Sequence, residues 1–475
     1  MKKWVLISVG VAAIVAVGIC YLTFAKKDNY ATALPADAKT MAVLNVRDMA
    51  ESLNMERKEL ASLADHCGLT DCGVDLSVPV YGFVSKSGFF GMLTRVSDAS
   101  DLSAWLEKKG IDTERQRGMQ WSEHKGWLFC RDNGKLLIMG PASSADEGML
   151  RSEMANLMEQ KESQAANTFL ALKGEGFLHL TTALDALPVN KKGFLGKLLP
   201  KGLNLSGLQV NADMMMEGNA LRMQCELNSG NAETDKFCQT LDTLLRPVEG
   251  TYLQGGVPNP FLWLSANVKG SSLLDLLRRI PALRTALIGL NMCVDADMMI
   301  RAVDGDVSVS VPMPRSMNVP YLVEGRLNNT DFLKNASDWG TGIASAGGLL
   351  FNRQSPTDFS LQFGRRNFLF GVWNKSDLYV ASDPSLIQRE DVAWTALEEM
   401  RENVQQSVLY LSVDMQQLFK SPIAYALAFS VPKRMYYFLE STERMNVSLQ
   451  DGRHITLGLV SANDIRTLLN NSFDK

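Results

Sequence analysis

The sequence predicts an α+β protein: an N-terminal transmembrane helix followed by two tandem duplicated halves of antiparallel sheets with helices on one face. Three observations carry this expectation. An uncharged run, WVLISVGVAAIVAVGICYLTF, extends from Trp4 to Phe24. Turn signals join strand pairs that feed single helices, without the regular strand–helix alternation of a parallel sheet. Five strand and helix blocks recur in one order at a spacing of about 230 residues, far longer than a solenoid repeat.

The first run holds 24 − 4 + 1 = 21 residues. At about 1.5 Å per residue it matches a bilayer core of roughly 30 Å. It exceeds the apolar stretch of a cleaved signal. Cys20 follows Ile19, a poor context for lipid attachment. Lys2 and Lys3 lie before the run, and Lys26 and Lys27, offset by Asp28, lie after it. Counting cations places the N-terminus inside and exports the body, giving a single-pass membrane protein.

The remainder is 475 − 30 = 445 residues, enough for several cores. The segmentation is 1–30 for the signal anchor and tether, 35–246 for the first half, 247–260 for a linker and 261–475 for the second half. The linker, PVEGTYLQGGVPNP, is rich in residues that interrupt regular structure. Net charge is −4, and no basic helix or aromatic-rich motif stands against it, so nucleic-acid binding is excluded as a general activity.

In the first half, Thr40 to Val46 reads as a buried strand and Asp48 to Ala64 as a helix. Strands Val80 to Val84 and Phe89 to Val96 follow, then a helix capped by Ser100 and ending at Gly110. The hairpin Trp127-Leu128-Phe129, Asn133-Gly134, Leu136 to Met139 is signalled by an Asn-Gly turn. A helix from Ser144 to Gln160, a strand from Phe177, strands Leu205 to Met216 and Ala220 to Leu227, and a helix Glu233 to Leu245 complete it.

In the second half, Phe261 to Ala266 enters a helix from Ser271 to Ile280. Tyr321 to Leu327 parallels the earlier strand, with Arg326-Leu327-Asn328-Asn329 echoing Arg95-Val96-Ser97-Asp98. Phe368 to Val372 turns at Asn374 to Asp377 into Leu378 to Ala381, matching the Trp127 hairpin. SVLYLSV at Ser407 to Val413 matches GFLHLT at Gly176 to Thr181. Met445 to Leu449, Ile455 to Val460 and a closing helix Asn463 to Leu469 echo Leu205 to Leu245.

Leu34-Pro35-Ala36-Asp37-Ala38, followed by a strand and Val46-Arg47-Asp48-Met49, resembles an uncharacterised envelope-protein family of Bacteroides and its relatives. Members open with an export signal and a strand–helix unit, and many look like lipoproteins. The resemblance implies a location in the bacterial envelope, with the body periplasmic. It brings no catalytic residues.

Chemistry is sparse in this chain. Seven cysteines include Cys20 in the apolar run. Cys67 and Cys72 in HCGLTDC read as a local disulfide, while Cys130, Cys225, Cys238 and Cys293 read as small buried hydrophobes, with a Cys225–Cys238 bridge as the alternative for that pair. A metal site from Asp65, His66, Cys67 and Cys72 would lack the second ligand pair that zinc sites bring. His124, His179 and His454 have no partner at ligand spacing. Gly340 to Gly348 lacks the lysine of a phosphate loop. Asp295, Asp297, Asp304 and Asp306 lack the pattern of a calcium loop. No cofactor is expected. The reading is a non-enzymatic binding or interaction module; the alternative is an exported hydrolase whose site assembles from distant residues.

Three apolar segments read first as helices packing over their own sheet, with an apolar contact surface as the alternative. Lys191 to Leu205 (KKGFLGKLLPKGLNL) offers Phe194, Leu195, Leu198 and Leu199 among cations. Leu418 to Tyr437 offers Ile423, Tyr425, Leu427 and Phe429. Ser271 to Leu290 is similarly apolar. Such segments suit a membrane surface, an apolar ligand or an envelope protein partner.

Overall fold

The computed structural model describes residues 30–53, 55, 72–132, 134–161, 176–183, 208–229, 232–253, 257, 259–314, 319–339, 349–363, 366–387, 395–422, 424, 436 and 439–461. It divides into two compact units. One comprises Met1–Leu187, Gln209–Met223 and Asn463–Lys475; the other comprises Pro188–Leu208 and Gln224–Ala462.

The first unit contains β1 (Thr40–Leu44), α1 (Val46–Ser52), β2 (Val74–Asp75), β3 (Val80–Val84), β4 (Phe90–Val96), α2 (Ala99–Lys108) and β5 (Thr113–Gln116). It continues with β6 (Met119–His124), β7 (Trp127–Asp132), β8 (Lys135–Gly140), α3 (Glu147–Glu159), β9 (Leu178–Ala183) and β10 (Leu208–Glu217). Its pairings are all antiparallel and run β5-β6-β7-β8-β4-β3-β1-β9-β10, with β2 beside β4.

After β11 (Ala220–Ser229), which straddles the division, come α4 (Ala232–Leu244), β12 (Leu245–Arg246), β13 (Leu262–Lys269), α5 (Gly270–Arg279), α6 (Pro281–Asn291) and α7 (Ala296–Ala302). Then follow β14 (Val303–Val311), β15 (Leu322–Leu327), β16 (Leu349–Arg353), β17 (Asp358–Phe363), β18 (Arg366–Trp373) and β19 (Asp377–Ala381). The unit closes with α8 (Thr395–Gln405), β20 (Leu409–Asp414), α9 (Met415–Lys420), β21 (Thr442–Leu449) and β22 (His454–Ser461). Here the order is β16-β17-β18-β19-β15-β14-β13-β20-β21-β22, again antiparallel throughout.

Read from β5 and from β16, nine strands follow the same order in each unit. The correspondence reaches single side chains. Thr181 on β9 donates from Oγ1 to Asn211 Oδ1 on β10 at 2.7 Å. Ser412 on β20 donates to Asn446 Oδ1 on β21 at 3.0 Å.

The α+β expectation with helices on one face needs correction. Twenty-two strands dominate the described residues, against nine α-helices of 6 to 13 residues. Those helices cover both faces of each sheet. On β8, Leu137 and Met139 pack with Leu150 and Met154 of α3. The alternating Leu136 and Ile138 pack with Leu102 and Leu106 of α2. On β13, Ala266 and Val268 meet Met299 and Ala302 of α7, while Trp263 points the other way, to Met400 and Val404 of α8. An apolar run without alternation, such as LLIM on β8, is what a strand buried on both faces requires.

The single-pass topology is likewise corrected. Among the described residues no helix is long and apolar enough to cross a membrane. At about 1.5 Å per residue, a helix of 13 residues spans only about two thirds of the roughly 30 Å core. The run Trp4 to Phe24 itself lies outside the described residues.

Local differences have clear causes. The cap of α2 is Asp98, not Ser100: its carboxylate accepts from Ser100 N at 2.7 Å and Asp101 N at 3.1 Å. That pair of backbone donors holds the Asp98 carboxyl below its ordinary range. The breaker-rich stretch after Arg246 is packed, with Val248 and Leu253 in one core with Trp263 and Tyr410.

Candidate contact surface

Between β13 and β14 the second unit carries three helices. Strand β13 ends at Lys269, and α5 begins at Gly270 hard against α7. A Cβ at Gly270 would stand 2.0 Å from Ile300 O and 2.4 Å from Val303 O, so this start tolerates no side chain. Along α5, Leu274 is buried, and Leu273 and Leu276 pack against the core that holds Val268 and Val303. Ile280 ends the helix buried, and Pro281 opens α6, where its missing N–H leaves no donor unmet.

Ile280 and Leu287 of the α6 segment are buried, with Leu283 half-buried between them, a stripe at helical spacing. The rest of its circumference faces solvent. Ile288 is 57% exposed, Leu290 42% and Met292 63%. Ala282 and Ala286 are exposed as well. Arg284 and Thr285 supply the polar groups of this outer face until Asn291.

The base of the lobe is fastened. Asn291 Nδ2 donates to Asp297 Oδ1 at 3.0 Å, and Asp297 N donates to Asn291 Oδ1 at 3.0 Å. Arg278 also pairs with Asp297. Asp295 caps α7 through Met298 N at 3.4 Å. Arg279 and Arg284 are exposed and make no ion pair among the described residues. An apolar tip with two unpaired cations is therefore held in a defined conformation.

Other sequence candidates resolve differently. Phe194, Leu195, Leu198, Leu199, Ile423, Tyr425, Leu427, Phe429, Cys67 and Gly340 to Gly348 lie outside the described residues. Cys72 is buried. Cys238 is a free buried thiol, so no bridge joins it to Cys225. Burial pushes the Cys130 thiol up to about 12, far from a usable nucleophile. His179 is buried, with Nδ1 2.6 Å from Asp213 Oδ1. His454 rests on Asp451 at 2.8 Å, at the surface.

The four aspartates are dispersed. Asp304 pairs with Arg246 at 2.5 Å, and Asp306 accepts from Glu249 N and Thr251 N at 3.0 and 2.8 Å. Among the described residues no group of three His, Cys, Asp or Glu side chains could hold a metal ion. A crevice under α2, lined by Leu102, Leu106, Phe129 and Arg131, has about 10 Å³ of free volume, room for at most one water.

No family model matches the chain, and no curated protein matches it. Among solved structures, crystal form IV of TP0453 is similar at TM-score 0.28 and 13% identity, covering 46% of this chain and 87% of that one. Crystal form I of TP0453 gives TM-score 0.29 and 15% identity, covering 47% and 88%. Scores of this size carry no argument about fold or function.

Proposed function

We propose that the protein is a non-enzymatic interaction module that uses α6 as a contact element. One observation carries the reading: Ile288 and Leu290 on α6 and Met292 at its C-terminal cap are exposed, on an element whose inner stripe is buried and whose base is tied to α7. An exposed apolar cluster on a fastened element is the ordinary mark of a surface made to be covered. Nine strands in one order within each unit support a further reading, that the chain arose by internal duplication.

The test uses the protein's own methionines. Met292 is 63% exposed and Met149, on α3, is 51% exposed. Peroxide oxidises accessible methionine to the sulfoxide, which mass spectrometry reads. In purified protein both residues should be oxidised at similar rates. In intact cells Met292 should be protected while Met149 remains reactive. Equal oxidation of the two in cells would show α6 uncovered and overturn the proposal.

A further inference from the structure

We infer that the surface covering α6 is an anionic lipid bilayer, met at its interface rather than crossed. This rests on the contact-surface reading and names its partner.

The first argument is geometric. A helix that fills a protein groove presents one stripe at i, i+3, i+4 and i+7. Here that stripe, Ile280, Leu283 and Leu287, faces the protein's own body. The exposed apolar residues surround the end of the helix instead. At about 100° per residue, Ile288 and Met292 share one side and Leu290 lies on another. A fluid apolar medium wets such a tip from several directions at once; a rigid groove would have to enclose it.

The second argument is chemical. Protein–protein hot spots are enriched in Trp and Tyr as well as Arg. Residues 270–292 contain no aromatic side chain: the tip is Ile, Leu, Met and Ala, with arginines only beside it. Aliphatic chains at the acyl boundary with cations beside them make an interfacial element.

The third argument is charge. Residues 270–302, which take in α7, hold Arg278, Arg279, Arg284 and Arg301 against Asp275, Asp295 and Asp297, a net of 4 − 3 = +1 in a chain of net −4. The remaining residues therefore carry −4 − 1 = −5. The apolar tip coincides with a local reversal of sign, and Arg279 and Arg284 stay uncommitted to acids of the described chain. Guanidinium groups flanking an inserted tip complement lipid phosphates.

The experiment uses the full chain with vesicles of phosphatidylcholine alone and of phosphatidylcholine with phosphatidylglycerol. Because other parts of the chain can also meet lipid, the readout is local: oxidation of Met292, with Met149 as reference. Phosphatidylglycerol vesicles should protect Met292, and phosphatidylcholine alone should not. Added salt should reverse the protection. Arg279→Gln with Arg284→Gln should raise the lipid concentration for half-protection about 30-fold. Ile288→Ser with Leu290→Ser should raise it about tenfold or more, while the melting temperature stays near that of the parent.

Equal Met292 oxidation with and without anionic vesicles overturns the inference. So does protection that appears with protein concentration alone, which would mark a second copy as the partner. Met292 protected in cells but not by these vesicles removes the lipid and leaves the contact surface. Met292 unprotected in both removes both.

Discussion

Tyr252 donates its hydroxyl hydrogen to Asp377 Oδ1 at 3.0 Å, joining the segment before β13 to the first residue of β19. Both residues are buried, and Arg326 approaches the same carboxylate oxygen at 3.3 Å. The bond therefore serves a buried carboxyl group that also meets the half-exposed Arg326. Tyr252→Phe keeps the ring and removes the donor, so it should lower stability by about 2 kcal/mol in urea denaturation. An unmoved midpoint would mean that Arg326 alone satisfies Asp377.

Alkaline pH should expose three buried phenols together. Burial pushes Tyr30, Tyr252 and Tyr379 above their ordinary range; Tyr81 beside Tyr30, Asp377 beside Tyr252 and Asp358 beside Tyr379 add to it. The folded state then keeps protons that the unfolded chain releases above pH of about 10. This stability is fully present below that pH and declines as pH rises, by up to about 1.4 kcal/mol per unit for each phenol. Stability curves for the three Tyr→Phe variants should each flatten; unchanged slopes would sink the assignment.

In the first unit, Arg95 Nε donates to Asp75 Oδ2 at 2.7 Å, with both side chains over nine-tenths buried. Asp75 also accepts from Ser77 N at 2.9 Å and Ser77 Oγ at 2.6 Å. Arg95→Met leaves a buried carboxylate without its cation and should cost about 3–5 kcal/mol. Adding Asp75→Leu should recover part of that loss, a coupling that a double-mutant cycle measures. Strict additivity would show the pair energetically independent.

Gly270 admits no Cβ without displacing α5 from α7. Gly270→Ala should lower the melting temperature and speed amide exchange across α5, α6 and α7. Gly289, also in α6, has nothing within 4 Å of its Cβ position. Gly289→Ala should instead be neutral or stabilising by up to about 1 kcal/mol. The pair separates steric demand from helix propensity; equal effects would contradict the packing at Gly270.

Regular alternation and turn chemistry made part of this architecture legible. The Asn-Gly hairpin is β7 and β8, and the SVLYLSV strand is β20. Strand β5, TERQ, gave no signal because all four side chains face solvent. The second covered face was hidden for a different reason: a double-faced strand and a buried helix segment both read as unbroken apolar runs. The candidate contact surface was half legible. Ser271 to Leu290 stood out as apolar, but composition does not say which of Leu287 and Ile288 turns inward. That depends on where Gly270 and Pro281 set the helix phase.

Two units with one strand order place competing partners on a single chain, and the complementary volumes across their strands discriminate between them. On β1, Met41 and Val43 face Phe83 and Tyr81 of β3. On β13, Trp263 and Ser265 face Ser310 and Ser308 of β14, and Trp263 Nε1 donates to Ser308 Oγ at 3.0 Å. If β1 paired with β14, Met41 and Val43 would face Ser310 and Ser308 in place of two aromatic rings and lose that packing. If β13 paired with β3, the Trp263 indole would collide with Phe83. The difference at these few positions thus works as an address code during folding, steering each strand to the partner within its own unit.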